Sequence, residues 1–145
     1  PVALELLEAL LTALGATTEV RPPRRDDTRT AQVRVVQLAE DYALAHVGDR
    51  LYVTDLCKAA GVSERSLEYA FKGIMGMTPV AYLTRVRLHR VRRALLAAPP
   101  GSTTVSAEAL GGGFWRFGDF SRAYRDCFGE LPSETLRRAA SRKRS

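Results

Sequence analysis

The sequence is poor in the residues that build disulfide frameworks and metal sites. Its 145 residues contain two cysteines and two histidines. Cys57 and Cys127 lie far apart in the chain and form no CxxC pair, which argues against a disulfide scaffold and a zinc site and fits a reducing compartment. His46 and His89 are too distant in sequence to suggest a shared site. We therefore expect neither a metal nor a cofactor.

Other absences narrow the class of protein further. No apolar run is long enough to cross a bilayer, and no signal peptide is recognisable, so we expect a cytoplasmic protein without a membrane partner. Neither a phosphate-binding glycine loop nor a nucleophile elbow occurs, which argues against an enzyme. Because the first residue is Pro1 rather than methionine, we interpret the chain as a fragment of a longer protein.

Positive charge is in excess, and it is unevenly placed. The formal net charge is +6. Residues 1–30 hold four basic and five acidic side chains, whereas residues 31–145 hold eighteen basic and eleven acidic ones. This bias favours a polyanionic partner, with nucleic acid ahead of a membrane surface. A generic basic surface is the alternative interpretation.

The N-terminal part contains a leucine-rich segment followed by a linker. Leu4, Leu7, Leu11 and Leu14 repeat at three- and four-residue intervals, as in a coiled-coil seam, and predict an extra N-terminal helix. Isolated helices below about 12–15 residues are marginal in water, so this helix requires a partner. The partner is a second copy of the chain in a homodimer, a missing N-terminal domain, or the helix's own domain. Residues 15–30 contain RPPRRDD and predict a linker.

One spacing pattern occurs twice in the rest of the chain. The first copy consists of Leu67, Phe71, Gly76, Pro79 and Leu83, and the second copy consists of Phe120, Tyr124, Gly129, Pro132 and Leu136. The internal spacings are identical. The chain therefore holds a duplicated unit.

Residues 31–77, which contain the start of the first copy, have the order of elements of a helix-turn-helix subdomain. Residues 31–46 predict an amphipathic helix, and a short helix follows over residues 53–60. Gly61 suits the left-handed position at the end of that helix, and Ser63 is a good N-cap for the next one. A short helix, a glycine turn and a capped second helix are typical of the helix-turn-helix motif.

The second copy, residues 99–138, repeats this order. A short helix is predicted over residues 105–112, with Gly113 as its turn, and a second helix over residues 116–128. Two copies in one basic chain are stronger evidence for helix-turn-helix units than a single copy is. The basic residues 139–145 are predicted to form a disordered tail.

A long basic helix over residues 78–98 joins the two copies. Pro79 lies at its first turn, where a helix tolerates proline, and the sequence Pro99-Pro100-Gly101 ends it. Twenty residues correspond to about 30 Å of helix.

A helical wheel divides this linker helix into two faces. Arg85, Arg92 and Arg93 lie opposite the apolar arc, toward solvent or phosphate. Arg87 falls inside the apolar arc, where a buried guanidinium needs an acidic partner; Asp41 and Asp55 are the candidates. The apolar arc itself holds Val80, Leu83, Val91, Ala94 and Leu95.

Two segments carry a family resemblance: GVSERSLEYAFKGIMGMTPVAYLTRVRLHRVRRALL and GFWRFGDFSRAYRDCFGELPSETLRR. They resemble the tandem helix-turn-helix DNA-binding domain of AraC/XylS-type bacterial transcription regulators, over about residues 31–138. The resemblance implies an all-α fold of seven helices, in which the long helix joins two subdomains. It also implies a separate N-terminal sensor or dimerisation domain, with residues 1–30 as its end and linker. The implied partners are double-stranded promoter DNA and RNA polymerase.

In the second helix of the first copy, the outward positions carry the predicted contacts. By resemblance, Arg65, Glu68 and Tyr69 fall at base-contact positions. Arginine can bind guanine with two hydrogen bonds, and glutamate can accept one from cytosine N4. Lys72 is predicted to contact phosphate. The alternative is that Glu64 and Glu68 only pair with local arginines.

In the second helix of the second copy, Arg122 matches the base-reading arginine of the family. Gly118 and Asp119 are also predicted base contacts; Asp119 is unfavourable near phosphate unless it pairs with an arginine or reads cytosine. Arg116 and Arg125 are predicted phosphate contacts.

The second copy departs from the first around its short helix. Alignment of Gly61 with Gly113 places Glu108 at the core position of Leu56, and three glycines end the helix. Either the helix is locally shifted, or Glu108 pairs with an arginine, or the second unit is weakly folded without DNA. A Glu108→Val change is then expected to stabilise the domain. Trp115 is expected to be partly buried.

The leading hypothesis is a sequence-specific DNA-binding transcription regulator. The linker helix is about as long as one turn of B-DNA, about 34 Å, so it can place two recognition helices in adjacent major grooves. The alternative is a protein-interaction module of the same fold whose second unit no longer reads DNA. Asp119, Glu108 and the three glycines favour that alternative.

Overall fold

The structure, a computed structural model, describes residues 25–145, which form seven helices and no strand. The predicted all-α class is confirmed. The leucine-rich segment and the first part of the linker lie outside the described residues. Gln32–Ser145 form one compact unit, which contains both copies of the repeat. The helices are α1 (Arg25–Ala45), α2 (Val53–Ala60), α3 (Glu64–Met75), α4 (Pro79–Ala97), α5 (Val105–Gly111), α6 (Phe117–Phe128) and α7 (Pro132–Arg144).

Helix α1 begins earlier than predicted. It starts at Arg25, so residues 25–30, assigned to the linker from their charge, are helical. No proline or glycine occurs between Arg25 and the end of the helix, and therefore nothing interrupts it. The charged side chains of this segment do not prevent it from forming a helix.

Helix α7 ends later than predicted. It continues to Arg144, so the tail predicted over residues 139–145 is helical almost to its end. Basic side chains in the last turn of a helix interact favourably with its dipole. In addition, the ammonium group of Lys143 donates a hydrogen bond of 2.7 Å to the carbonyl of Ala98, at the end of α4.

The turns between the paired helices differ by one residue. Gly61 and Gly113 both adopt a positive φ, of 67° and 88°. From this glycine to the N-cap of the next helix, the first turn covers residues 61–63 and the second covers residues 113–116. The additional residue precedes the N-cap Arg116, which makes no side-chain capping bond. Ser63, in contrast, accepts a 3.2 Å hydrogen bond from the Ser66 amide.

Helix α4 contributes to two separate cores. Its first half places Tyr82 and Leu83 among the buried residues of α1, α2 and α3. Its second half places Leu88, Val91 and Leu95 against α5 and α6. The helix is therefore a shared wall of both subdomains. No helix in the described part of the chain is long and apolar enough to cross a bilayer.

The wheel prediction is wrong at Val80, which is 62% exposed. Val80 lies on the same arc as Val91, but Val91 comes eleven residues later, about 16 Å along the axis. The second core starts only at Leu88. Val80 itself is therefore left open to solvent by the described residues, although Leu83, one turn later on this arc, is buried in the first core.

The predicted acidic partner of Arg87 is also wrong. The Arg87 guanidinium donates to the carbonyl of Leu51, in the loop between α1 and α2. Among the described residues, no carboxylate forms a salt bridge with it. Because Arg87 is only half-buried, water can solvate its remaining donors, and a counter-charge is not required. Asp55 instead accepts a 2.8 Å hydrogen bond from the Tyr52 amide at the start of α2.

Candidate nucleic-acid interface

Helix α3 is divided into a buried and an exposed face. Leu67, Ala70 and Phe71 are buried in the first core. The predicted base-contact residues Arg65, Glu68 and Tyr69 are all exposed, Tyr69 by 58%. The predicted outward placement of these side chains is thus confirmed, and their contact with bases stays a prediction.

Two side chains on the exposed face of α3 contact each other. The Arg65 guanidinium lies 5.6 Å from the centre of the Tyr69 ring, a cation–π distance at which an exposed pair contributes about 0.5–1 kcal/mol. Within the described residues, neither Glu64 nor Glu68 forms a salt bridge. The alternative in which these glutamates only pair with local arginines is therefore not supported.

Helix α6 has the same division. Phe120 and Tyr124 are buried, and the predicted contact residues Arg116, Gly118, Asp119, Arg122 and Arg125 are exposed. Among the described residues, Asp119 has no salt-bridge partner, so the pairing with a neighbouring arginine considered from the sequence does not occur. Both second helices thus present exposed polar faces opposite their buried residues; the face of α6 has an excess of basic side chains, whereas that of α3 has as many acidic as basic ones.

Trp115 is more exposed than predicted. It is 70% exposed, because it immediately precedes the N-cap in the longer turn and lies outside the repeated packing pattern. The Arg50 guanidinium lies 5.5 Å from the centre of its ring. Phe117, the first residue of α6, is 44% exposed and was not predicted as a site residue. The sequence signal that could have pointed to this exposed aromatic surface is the run FWRF, in which one basic residue lies among three aromatic ones.

The linker arginines do not all lie on an open surface. Arg85 is exposed, as predicted. Arg92 is half-buried: its guanidinium lies 4.6 Å from the centre of the Phe128 ring and 3.7 Å from Oε1 of Glu130. The predicted solvent-facing placement of Arg92 is wrong because the end of α6 and the loop after it cover this part of α4. A phosphate contact by Arg92 would compete with these interactions.

A hydrogen-bond chain that begins at the buried Tyr124 and Thr135 and ends at the exposed Arg138 joins α6 to α7. The Tyr124 hydroxyl donates to Oγ1 of Thr135 over 2.8 Å, and Thr135 donates to Oε1 of Glu130 over 2.7 Å. Arg138 donates to the same carboxylate oxygen over 2.7 Å. Burial raises the pKa of the Tyr124 phenol. A buried polar network with all members bonded rigidifies its surroundings, and here it holds the exposed face of α6 in place.

Glu108 is neither displaced nor paired with an arginine. Helix α5 keeps the expected register, with Ala109 buried at the position aligned with Cys57. Glu108 is half-buried, and its Oε1 accepts a 2.7 Å hydrogen bond from Oγ1 of Thr103. Both structural explanations offered from the sequence are therefore wrong. A carboxylate in the first turn of a helix is favourable to the helix dipole.

The cysteines remain separate in the structure. Cys57 and Cys127 are both free and half-buried, and burial raises the pKa of the Cys57 thiol. Across residues 25–145, no group of three or more His, Cys, Asp or Glu side chains is placed to hold a metal ion.

The sequence is similar to a known domain family and to known regulatory proteins. Residues 56–138 match a family described as "Helix-turn-helix domain". The chain is 37% identical over 137 residues to the probable thc operon regulatory protein of Rhodococcus erythropolis, covering 94% of this chain and 40% of that protein. It is 37% identical over 105 residues to the XylDLEGF operon transcriptional activator 3 of Pseudomonas putida, covering 72% of this chain and 30% of that protein. The chain thus spans less than half the length of these relatives.

The fold also matches solved structures. The crystal structure of a probable AraC family transcriptional regulator from Rhodopseudomonas palustris CGA009 aligns with a TM-score of 0.65 and 41% sequence identity. The alignment covers 72% of this chain and 96% of that one. The sequence resemblance and the helical arrangement therefore agree.

Proposed function

This chain belongs to the AraC family of transcriptional regulators, and on that premise we propose that it binds double-stranded promoter DNA sequence-specifically. Helices α3 and α6 are its two recognition helices. The observation that carries the proposal is the matched placement of two exposed polar helix faces, each backed by a core that shares α4. Second helices of this motif lie in the major groove.

Helix α4 is the spacer between the two recognition helices. Its 19 residues correspond to about 28 Å at about 1.5 Å per residue, close to the 34 Å or so of one turn of B-DNA. Packing of both cores on one rigid helix supports insertion of α3 and α6 into adjacent major grooves on one side of the duplex. One chain would then read two sites without a dimer.

Base recognition is assigned to the exposed face of each recognition helix. In α3, Arg65 reads guanine, and Glu68 and Tyr69 read neighbouring bases; the stacking of Arg65 on Tyr69 limits the freedom of the guanidinium before binding. In α6, Arg122 reads guanine. Gly118, which has no side chain, allows the helix to approach the bases closely. The carboxylate of Asp119 is a hydrogen-bond acceptor for cytosine N4.

Phosphate contacts surround these faces. Lys72, Arg85, Arg116 and Arg125 are exposed and are assigned to the backbone, where contacts position the protein rather than select sequence. Arg92 contributes less, because it already contacts Glu130 and Phe128.

The whole protein contains more than this domain in our proposal. The relatives are longer than the chain, and one of them is named a transcriptional activator. We assign residues 1–24, which precede α1, to the end of an N-terminal sensor or dimerisation domain and its linker, with homodimerisation through the leucine-rich segment. RNA polymerase is the proposed protein partner, and the cytoplasm the proposed location. Of the features that favour the interaction-module alternative, Glu108 accepts a hydrogen bond from Thr103 and Gly113 forms the turn, so its main remaining support is Asp119.

The test is retention of DNA in a mobility-shift titration across salt concentrations, after selection from randomised duplexes. We expect binding that weakens steeply with salt, because phosphate contacts release counterions. Arg122→Ala should weaken binding to the selected site by about 1–3 kcal/mol and relax preference at one base pair. Arg137→Ala, at an exposed position on α7, is the matched control. Absence of salt-dependent retention would refute the proposal.

A further inference from the structure

A cleft opens between the two subdomains, beside the middle of α4. Its volume is about 610 Å³, within the range of small-ligand sites, about 300–1,000 Å³. Its walls are the loop between α1 and α2, the central turns of α4, and the glycine turn that follows α5. None of the base contacts assigned above lines it.

The cleft carries unbalanced positive charge. Arg50, Arg87 and Arg90 line it, with Asp49 as the single acidic side chain. Among the described residues, none of these arginines has a carboxylate within salt-bridge distance. Concave surfaces lined by charge of one sign concentrate the electric field and attract counter-ions. The side chains present therefore leave an excess of two positive charges in this cleft.

Two of the arginines are held in position by contacts at the cleft wall. Arg87 donates to the carbonyl of Leu51, and the Arg50 guanidinium lies 5.5 Å from the centre of the Trp115 ring. Each guanidinium has five N–H donors, so these contacts leave donors for a ligand. Arg90, half-buried on α4, lies on the same wall.

We propose that this cleft binds a phosphate group. A phosphate monoester carries about 1.5 to 2 negative charges at pH 7, which matches the excess of the cleft, and arginine's planar donor set fits phosphate oxygens. The apolar wall formed by Leu83, Val86 and Leu110 gives room for the body of the phosphate-bearing molecule. The phosphate comes either from a free phosphorylated molecule or from a DNA strand that crosses between the two recognition helices; this second source rests on the proposed function.

The first arm of the test uses the DNA-free protein. Trp115 is the only tryptophan in the chain, so its fluorescence reports on this cleft. Inorganic phosphate is titrated against chloride at matched ionic strength. We expect a saturable change with phosphate, and an at least tenfold weaker dissociation constant in Arg90→Gln and in Arg50→Gln. Arg137→Gln, at an exposed position on α7 outside the cleft, should match the parent protein. Circular dichroism establishes that each variant is folded.

The second arm measures DNA binding of the same variants across salt. If DNA supplies the phosphate, Arg90→Gln should reduce the slope of log affinity against log salt by about 1, whereas Arg137→Gln should not. A saturable fluorescence response with an unchanged slope assigns the cleft to a free phosphorylated molecule. No phosphate response, together with equal slopes for the two variants, would overturn the proposal. Loss of DNA retention by the parent protein would instead refute the proposed function and leave the fluorescence arm valid.

Discussion

The three consecutive glycines at the end of α5 are expected to respond differently to alanine. Gly111 is the last residue of the helix, and a Cβ added there would meet no atom within 4 Å. Alanine loses less backbone entropy than glycine in a helix. Gly111→Ala should therefore stabilise the domain by about 0.5–1 kcal/mol.

The other two glycines are required, for separate reasons. A Cβ on Gly112 would lie 2.5 Å from Cγ2 of Val91, which is buried in the second core and, being β-branched, has few rotamers to escape into. Overpacking of this kind costs about 1–3 kcal/mol. Gly113 has open space around its Cα but a φ of 88°, and the left-handed region costs other residues about 1–2 kcal/mol.

Thermal unfolding followed by circular dichroism tests this series. For a domain of this size, 1 kcal/mol corresponds to roughly 4 °C in melting temperature. We expect Gly111→Ala to melt above the parent protein and the other two variants to melt several degrees below it. Adding Val91→Ala to Gly112→Ala should show favourable coupling in a double-mutant cycle, whereas adding it to Gly113→Ala should not. A Gly112→Ala protein as stable as its parent would refute the packing argument.

Two further predictions concern α5 and α4. Glu108→Val, expected from the sequence to stabilise the domain, should instead destabilise it by about 1 kcal/mol and lower its melting temperature. The substitution removes the hydrogen bond from Thr103 and the favourable charge in the first turn of the helix. A higher melting temperature would contradict this. A proline at position 89, in the middle of α4, should abolish specific DNA binding more completely than Arg85→Ala does, since it disrupts the helix between the two cores. The control is His89→Ala, which removes the ring contact with Phe128 but keeps the helix. Equal losses of binding for His89→Pro and Arg85→Ala would show that α4 acts only through its positive charge.

Much of the fold was predictable because its signals are local. Helix α2 has the predicted bounds, and Gly61 marks its end in the sequence itself. Thr78 caps α4 through the Ala81 amide, with Pro79 in the first turn, as the residue types require. The family resemblance rested on these same local features and is confirmed.

The exposed faces of the recognition helices were predictable for a related reason. Within a helix, the positions of Leu67 and Phe71 determine which neighbours point away from the core. Arg65 and Arg122 therefore lie outward as predicted. Which bases they contact stays a prediction, because contact depends on a second molecule.

The sequence by itself determined the duplicated helix-turn-helix units, their caps and the two sides of each recognition helix, because these follow from short-range spacing. Only the tertiary structure decided which part of each surface is covered and by what. Val80 is exposed because the second core begins farther along α4, and Arg92 is half-buried because Phe128 and Glu130 pack over it. Arg87 bonds to a backbone carbonyl thirty-six residues away, a partner that no side-chain pattern could indicate. Charge and periodicity describe one element at a time, whereas these contacts join elements distant in sequence.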